Sequence, residues 1–303
     1  MRVTSNTFPN TLLTRLQSLG SEQNKALIQL SSGQRIAAPS DDAPAMQRVL
    51  NLRTEKKQNQ QFYRNATDGL EISKVSFASL EQIKDLLVRA SELSANISGA
   101  SSEQEFIAKS AEIEQLIQQG VNVANTKLRG NYLFAANDSG SGTPPFAMDG
   151  GKVVYTPSGQ TDADALSMRI GEDTEISAYA LPSENTQIRD LLNKMIDLRD
   201  AMKNPPSGQS KADAVLALRV GLDEAEDAIL SSMSRAGTIQ YRLETAMKDL
   251  EVRYEATEQL ISTDADIDFA EASVRLSRSQ MAYQAAIQSG AMIQRNSLLD
   301  YIR

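Results

Sequence analysis

Twelve positions between Leu222 and Leu260 recur at spacings of three and four without a slip: Leu222, Ala225, Ile229, Ser232, Ala236, Ile239, Leu243, Ala246, Leu250, Arg253, Thr257 and Leu260. A run of this kind draws one apolar stripe along one continuous helix about 57 Å long. A helix of that length buries its stripe only against other helices, so the chain is expected to form an elongated rod rather than a globule. Leu230, Met233, Met247 and Tyr254 flank the stripe and widen it, as in a bundle of more than two helices.

Proline and glycine mark where the other helices start and stop. Leu12, Leu16, Leu19, Gln23, Ala26 and Leu30 place a thinner stripe on a helix from Thr11 to Leu30. Gly33 and the segment Ala38-Pro39-Ser40-Asp41-Asp42-Ala43-Pro44 break it, with Pro44 suited to a first helical turn and the preceding Ser and Asp residues to capping. A long second helix then runs past Val49, Phe62, Leu70 and Phe77 to a heptad at Ile83, Leu86, Ala90, Leu93 and Ile97, and Gly99 closes it. Ser102 and Glu105 form a capping box for a third helix with Ile113, Ile117, Val121 and Ala124 on its apolar face. After Pro182 the helical signal resumes, broken once at Asn204-Pro205-Pro206-Ser207-Gly208. Asp268-Phe269-Ala270-Glu271 offers a cap for a last helix with Val274, Met281, Ala285 and Met292 on one side.

From Gly130 the period changes. Tyr132 to Ala136 precede a Gly/Ser/Pro cluster, Val153 to Tyr155 and Ala165 to Ile170 read as short strands, and Glu175 to Ala180 adds another. About fifty residues suffice for one small sheet. The fold class is mainly α (α+β overall), an elongated antiparallel helical bundle or coiled coil of the N- and C-terminal segments with a small inserted β-rich domain. The expected domains are 1–43 with 264–303, 44–130 with 184–263, and 131–183.

Composition narrows the chemistry. The 303 residues contain no Cys, His or Trp, which removes thiol nucleophiles, Ser-His-Asp triads, disulfides and Cys/His zinc sites. Absent cysteine also suits a protein that passes through compartments of different redox state. A net charge of −8 argues against nucleic acid as a partner. No apolar run is long enough for a membrane span, and the N-terminus lacks the pattern of a secretory signal. Asp264-Ala265-Asp266-Ile267-Asp268 alternates like a calcium loop, but the glycine position holds Phe269, so a helix start is the better reading and no metal is expected. Ser139 to Gly142 lacks the GK[ST] of a phosphate cradle. Arg53, Lys56, Lys57 and Arg64 form a basic cluster read as a solvated helix face. No catalytic constellation emerges, so no enzyme and no cofactor are expected.

Leu30-Ser31-Ser32-Gly33-Gln34-Arg35-Ile36, followed by Pro39-Ser40-Asp41-Asp42-Ala43-Pro44, resembles the N-terminal signature shared by bacterial flagellins and the hook-associated protein 3 family. Met1-Arg2-Val3-Thr4, Gly130-Asn131-Tyr132-Leu133-Phe134-Ala135, Gly151-Lys152-Val153-Val154-Tyr155 and Ser297-Leu298-Leu299-Asp300-Tyr301-Ile302 are similar to passages of the hook-associated branch, while the trailing Arg303 is closer to a flagellin tail. The resemblance implies an extracellular flagellar structural protein at the junction of hook and filament, exported unfolded by the flagellar type III apparatus without a cleaved signal. Implied partners are further copies in a ring, the first hook-associated protein, flagellin, and an export chaperone on the C-terminal helix. It also implies terminal regions that order on assembly, in agreement with the thin stripes at both ends. The expected assembly residues are Leu12, Leu16, Leu19, Leu27 and Leu30 at the front, and Val274, Met281, Ile287, Leu298 and Leu299 at the back. A flagellin filament subunit is the near alternative, and a secreted coiled-coil adhesin or effector the distant one.

Overall fold

Apolar residues at helical spacing, bounded by caps and Gly/Pro breaks, give six α-helices among the described residues of a computed structural model, which describes residues 7–136, 140, 142–156 and 159–301. They are α1 (Thr7–Ser32), α2 (Ala43–Ala95), α3 (Glu103–Ala124), α4 (Pro182–Lys203), α5 (Lys211–Ala265) and α6 (Phe269–Tyr301). At 53 and 55 residues, α2 and α5 each extend about 80 Å. The Ser102 box caps α3 in both directions, its hydroxyl accepting from Glu105 N–H at 3.3 Å while the Glu105 carboxylate accepts from Ser102 N–H at 2.9 Å. Helix α2 ends at Ala95, one turn before the expected stop at Gly99.

The chain separates into two compact units, residues 59–252 and residues 1–58 with 253–303. In the first, Ile83, Leu87, Ile113, Ile117, Ile188 and Met195 are fully buried. Two glycines set the close approaches. A Cβ on Gly69 would lie 2.9 Å from Met168 Cε, and one on Gly120 would lie 2.6 Å from Leu192 Cδ2. Next to the first contact, Ser73 Oγ donates to the Ala236 carbonyl at 3.1 Å, and Gln240 Nε2 donates to the Ser73 carbonyl at 3.2 Å, so α2 and α5 are joined across their seam. The α5 stripe is buried at the expected positions from Leu222 to Leu243 and again at Leu250, with Ala246 half-buried. Past Leu250 the expected register holds only in part: Thr257 is buried and the flanking Tyr254 half-buried as expected, but Arg253 and Leu260 are exposed and Ile261 is half-buried beside Leu260. Charge explains Arg253, and a one-residue rotation of the seam displaces Leu260. Leu230, expected to widen the stripe, is 44% exposed.

Among the described residues the region from Lys127 to Ile176 forms not one sheet but three antiparallel ribbons, β1 (Lys127–Leu128) with β2 (Asn131–Tyr132), β3 (Phe146–Asp149) with β4 (Lys152–Tyr155), and β5 (Met168–Arg169) with β6 (Glu175–Ile176). The strands expected over 165–170 and 175–180 shrink to these two-residue pieces. Side chains from helices replace missing neighbour strands. Asn125 exchanges two hydrogen bonds with the Phe146 backbone (3.0 and 2.8 Å), and Asn193 exchanges two with Val153 (both 2.9 Å). Both open edges of the β3–β4 ribbon are thereby occupied, which removes the need for a wider sheet. Phe146 and Tyr155 stack obliquely at 5.2 Å beneath it. The buried Glu184 carboxylate caps Leu181 N–H and accepts from Arg235, tying the base of the segment to α5.

Candidate functional site

The residues that carry the N-terminal signature fold into a clasp. Gly33, at φ +71°, ends α1 in the left-handed conformation that favours glycine. The released strand Gln34–Arg35 crosses the turn between α5 and α6: Arg35 N–H donates to the Ala265 carbonyl at 2.6 Å and Ile267 N–H to the Gly33 carbonyl at 3.0 Å. Gln34 and Asp266 form an antiparallel bridge there. Gln29, buried on α1, donates to the Arg35 carbonyl at 2.6 Å.

Charges lock the same place. Arg48 on α2 grips Asp264 with Nε and Nη2 at 2.9 and 2.7 Å, a forked geometry that a lysine would not reproduce. Arg35 donates to Asp42 and to the Asp264 carbonyl. Asp42 caps α2 through Ala45 N–H, while Asp41 accepts from Ala37 and Ala38 N–H and pairs with Lys25 at 2.8 Å. Three carboxyls are consequently held below their ordinary value of 3.8: Asp264 chiefly by Arg48, Asp42 by the Ala45 N–H and then Arg35, and Asp41 by Lys25 and then the two backbone donors.

The acidic alternation from Asp264 to Asp268 is divided among separate tasks. Asp264 takes Arg48, Asp266 accepts from Ser262, and Asp268 caps α6 through Ala270 and Glu271 N–H. The Glu271 carboxylate accepts from Arg275. Among the described residues no cluster of three or more acidic side chains could hold a metal, and no helix is long and apolar enough to cross a membrane. In the basic cluster, Lys56 pairs with Glu258 and lies over the Tyr254 ring, and is only partly solvated.

Beyond the clasp α1 and α6 run antiparallel. Leu12, Leu16, Leu19 and Leu30 lie half-buried on the stripe turned to α6. The opposing face of α6 is mostly small: Ala272, Leu276, Ser279, Tyr283, Ala286 and Gly290. Gly290 receives Leu12, whose Cδ2 lies 2.5 Å from where a Cβ would stand. Half a turn away, Val274, Met281, Ala285 and Met292 form a second apolar face that is exposed. Of the expected assembly residues, Leu27, Val274, Met281 and Ile287 point away from the pair, 47 to 60% exposed. The side chains of Leu298 and Leu299 lie outside the described residues. Sequence reasoning missed Arg48, Gln29 and the pairing of Asp264. The signature's own polar residues, Arg35, Asp41 and Asp42, marked the place, but nothing local pointed to those partners.

The N-terminal part, residues 3–139, matches the model of the bacterial flagellin N-terminal helical region, and residues 220–302 match that of the bacterial flagellin C-terminal helical region. Flagellar hook-associated protein 3 of Escherichia coli is 28% identical over 235 residues, covering 74% of this chain and 73% of that protein. The flagellar filament core protein flaB2 of Brachyspira hyodysenteriae is 24% identical over 278 residues, covering 86% and 85%. Among solved structures, Bacillus cereus FlgL superposes with a TM-score of 0.57 at 21% identity, over 69% of this chain and 97% of that one. Hook-associated protein 3 of Legionella pneumophila gives 0.58 at 13% identity, over 71% and 98%. The two helical-region models together account for the long helices, the clasp and the paired ends, and the chain belongs to the bacterial flagellin family.

Proposed function

We propose that this flagellar structural protein joins the hook to the flagellin filament. The similarity to a hook-associated protein 3 along nearly three quarters of both chains supports the reading, as do the sequence passages of that branch at 1–4, 130–135, 151–155 and 297–302. Its ends are the assembling part. The α1–α6 pair buries mainly small side chains and leaves two outward apolar edges, Leu13 with Leu27 on α1 and Val274 with Met281 and Met292 on α6. Isolated helices with so little covered area do not offset the entropy of ordering, so these segments complete their packing against neighbouring copies in a ring, with the first hook-associated protein on one side and flagellin on the other. Before assembly the same apolar side chains on α6 are what an export chaperone would cover, and passage through the flagellar type III apparatus is the expected route. The domain division that accompanies this reading is 1–43 with 264–303 for the assembling ends, 44–130 with 184–263 for the bundle, and 131–183 outside.

A filament subunit is the second reading, favoured by the longer match to a filament core protein. Deleting the gene separates the two. Hooks without filaments, together with a different flagellin shed into the medium, are the result expected of a junction protein. Hooks without filaments and no flagellin in the medium identify this chain as the filament subunit, and intact filaments overturn both.

A further inference from the structure

The sequence holds two Asp-Gly dipeptides, Asp68-Gly69 and Asp149-Gly150. Such a pair carries a reaction of its own, because glycine has no side chain to shield its backbone nitrogen from the carboxyl carbon that precedes it. The fold treats the two pairs in opposite ways. Asp68-Gly69 lies inside α2, where backbone amides are spent on carbonyls four residues back. Gly69 is buried, with Met168 Cε 2.9 Å from where a Cβ would stand, and Asp68 accepts from Arg129 Nη1 at 2.7 Å. Asp149-Gly150 sits at the β3–β4 turn. Asp149 pairs with Lys152, so Gly150 and Gly151 make a two-residue loop at φ +56° and +83°. This is a type I′ turn, whose bond runs from the fourth residue's N–H to the first residue's carbonyl and leaves the second residue's N–H free. No hydrogen bond among the described residues engages Gly150 N–H. Lys152, opposite Asp149, pairs with Asp197 at 3.5 Å instead, and Asp149 is exposed with no ion pair among the described residues. A Cβ on either loop glycine would meet nothing within 4 Å.

We propose that Asp149 is a site of spontaneous backbone modification, converted through a cyclic imide to isoaspartate, and that the fold spares Asp68. The Gly150 nitrogen attacks Asp149 Cγ: a C–N bond forms, a C–O bond breaks, and the amide proton leaves with the carboxyl oxygen and its proton as water. Water then adds to one of the two imide carbonyls. Addition at Cγ breaks the new bond and restores aspartate. Addition at the main-chain carbonyl carbon of Asp149 breaks that carbon's bond to the Gly150 nitrogen, so the chain runs on through Cβ and Cγ and the main-chain carbon becomes a free carboxylate. Water is the only co-reactant. For the attack, the bond from Asp149 Cα to its carbonyl carbon must turn until Cγ faces the Gly150 nitrogen, which opens only the outermost pair of a ribbon. The same turn at Asp68 unwinds α2 in mid-length and undoes the Arg129 contact, so it waits on a far rarer opening. Isoaspartate adds one carbon to the backbone and takes Asp149 and Lys152 out of register, while Asn125 and Asn193 still hold Phe146 and Val153. The product is a mark that accumulates with the age of the chain at the tip of the ribbon and leaves the helical bundle intact. It stands whether the chain is a junction or a filament protein.

The two dipeptides are each other's control in one sample. The full-length protein is aged for several weeks in neutral buffer, folded or in guanidinium chloride, and digested with trypsin. Asp68 falls in the peptide 65–74 and Asp149 in the peptide 130–152, and electron-transfer fragmentation tells isoaspartate from aspartate at each position. In the folded chain Asp149 should convert at least about tenfold faster than Asp68, the difference between opening a ribbon tip and opening a long helix. In the unfolded chain, where neither pair is held, the two rates should agree to within about threefold. Asp149→Glu, whose longer side chain would have to close a six-membered ring, should abolish conversion at that position. The aged parent should keep the main melting transition of the fresh protein. Equal conversion of the two sites in the folded chain, an Asp149 that stays intact while the unfolded chain converts, or a main transition that falls as isoaspartate rises overturns the proposal.

Discussion

Residues 59–252 and the paired terminal segments are both built from helices with apolar stripes, yet they bury very different side chains. In the inner unit Phe134, Phe146, Leu133, Leu191, Leu192 and Ile196 have almost no solvent contact. In the terminal unit the buried apolar side chains are Ala26, Ile36, Ala45, Val49, Ala265 and Ala272. Hydrophobic stabilisation follows the area removed from water, about 25 cal/mol per Å², and an alanine contributes little of it. Helical periodicity therefore predicts where helices form and says little about whether they stand alone. Charge differs too: 18 Lys and Arg against 28 Asp and Glu give the inner unit −10, while 13 against 11 leave the terminal unit at +2. Nearly balanced ends can pack against many identical copies without accumulating repulsion.

The sharpest way to break this contrast is to place one charge in each stripe. Ile239 is 6% exposed in the inner core, and Ile239→Asp should cost about 4 kcal/mol or more by stranding a carboxylate there. Thermal melting followed by circular dichroism should show the main transition collapse. Leu16, half-buried on α1, should behave in the opposite way: Leu16→Asp leaves the main melting transition where it was and abolishes assembly. A main transition that falls equally in both variants would erase the distinction between the units. The same contrast predicts that far-ultraviolet circular dichroism gains helix when the parent chain assembles, and an equally helical monomer would count against folding of the ends on assembly.

How much of this was legible in the sequence depended on the range of the interaction. The Ser102–Glu105 box, the Asp42 and Asp268 caps and the stop at Gly33 are set by residues within four positions of one another, and sequence spacing located them. The α5 seam was legible while apolar residues continued, and failed at Arg253 and Leu260, where spacing alone cannot register a rotation of the partner surface. The outward turn of Val274 and Met281 was hidden for a related reason. Helix α6 has two apolar faces, and the one that packs on α1 is mostly Ala, Ser and Gly, with Leu276 and Tyr283 between them, which a search for large side chains passes over. Arg48 and Asp264 are 216 residues apart, and nothing local in either segment announces the other. The narrowness of the β3–β4 ribbon went unforeseen because Asn125 and Asn193, polar residues on or beside helices, act as its strand partners.

The clasp supplies an intermediate effect with a defined pH dependence. Asp41, Asp42 and Asp264 have pKa values lowered from 3.8 in the folded chain. A carboxyl lowered by folding favours the fold while ionised, so its contribution is complete above the unfolded value and is lost as pH falls from about 4 through the folded value. Spin labels on Gln34→Cys and Asp266→Cys, at the antiparallel bridge, should give a narrow, short distance at pH 6 in the assembled protein and a broad one at pH 3. Adding Arg48→Ala should broaden the distribution at both pH values. A narrow distance that ignores both acid and Arg48→Ala would mean that the backbone bonds of the clasp suffice without its charges.

Two glycines carry the comparison to its finest scale. A Cβ on Gly120 would lie 2.6 Å from Leu192 Cδ2, and a Cβ on Gly290 would lie 2.5 Å from Leu12 Cδ2. Either substitution to alanine gains about 1 kcal/mol of helix propensity, and either meets the end of a leucine at nearly the same separation. The surroundings decide the sign. Leu192 is 1% exposed and has Leu86 on the same side, so it has nowhere to go, and overpacking of such a core costs about 1–3 kcal/mol. Leu12 is half-buried at an open helix pair and can swing to another rotamer at little cost. Gly120→Ala should therefore lower the main melting temperature by a few degrees, whereas Gly290→Ala should leave it unchanged and raise the helix content of the unassembled chain. If Gly120→Ala proves as harmless as Gly290→Ala, the inner core yields as readily as the ends do, and side-chain size is not what separates the two units.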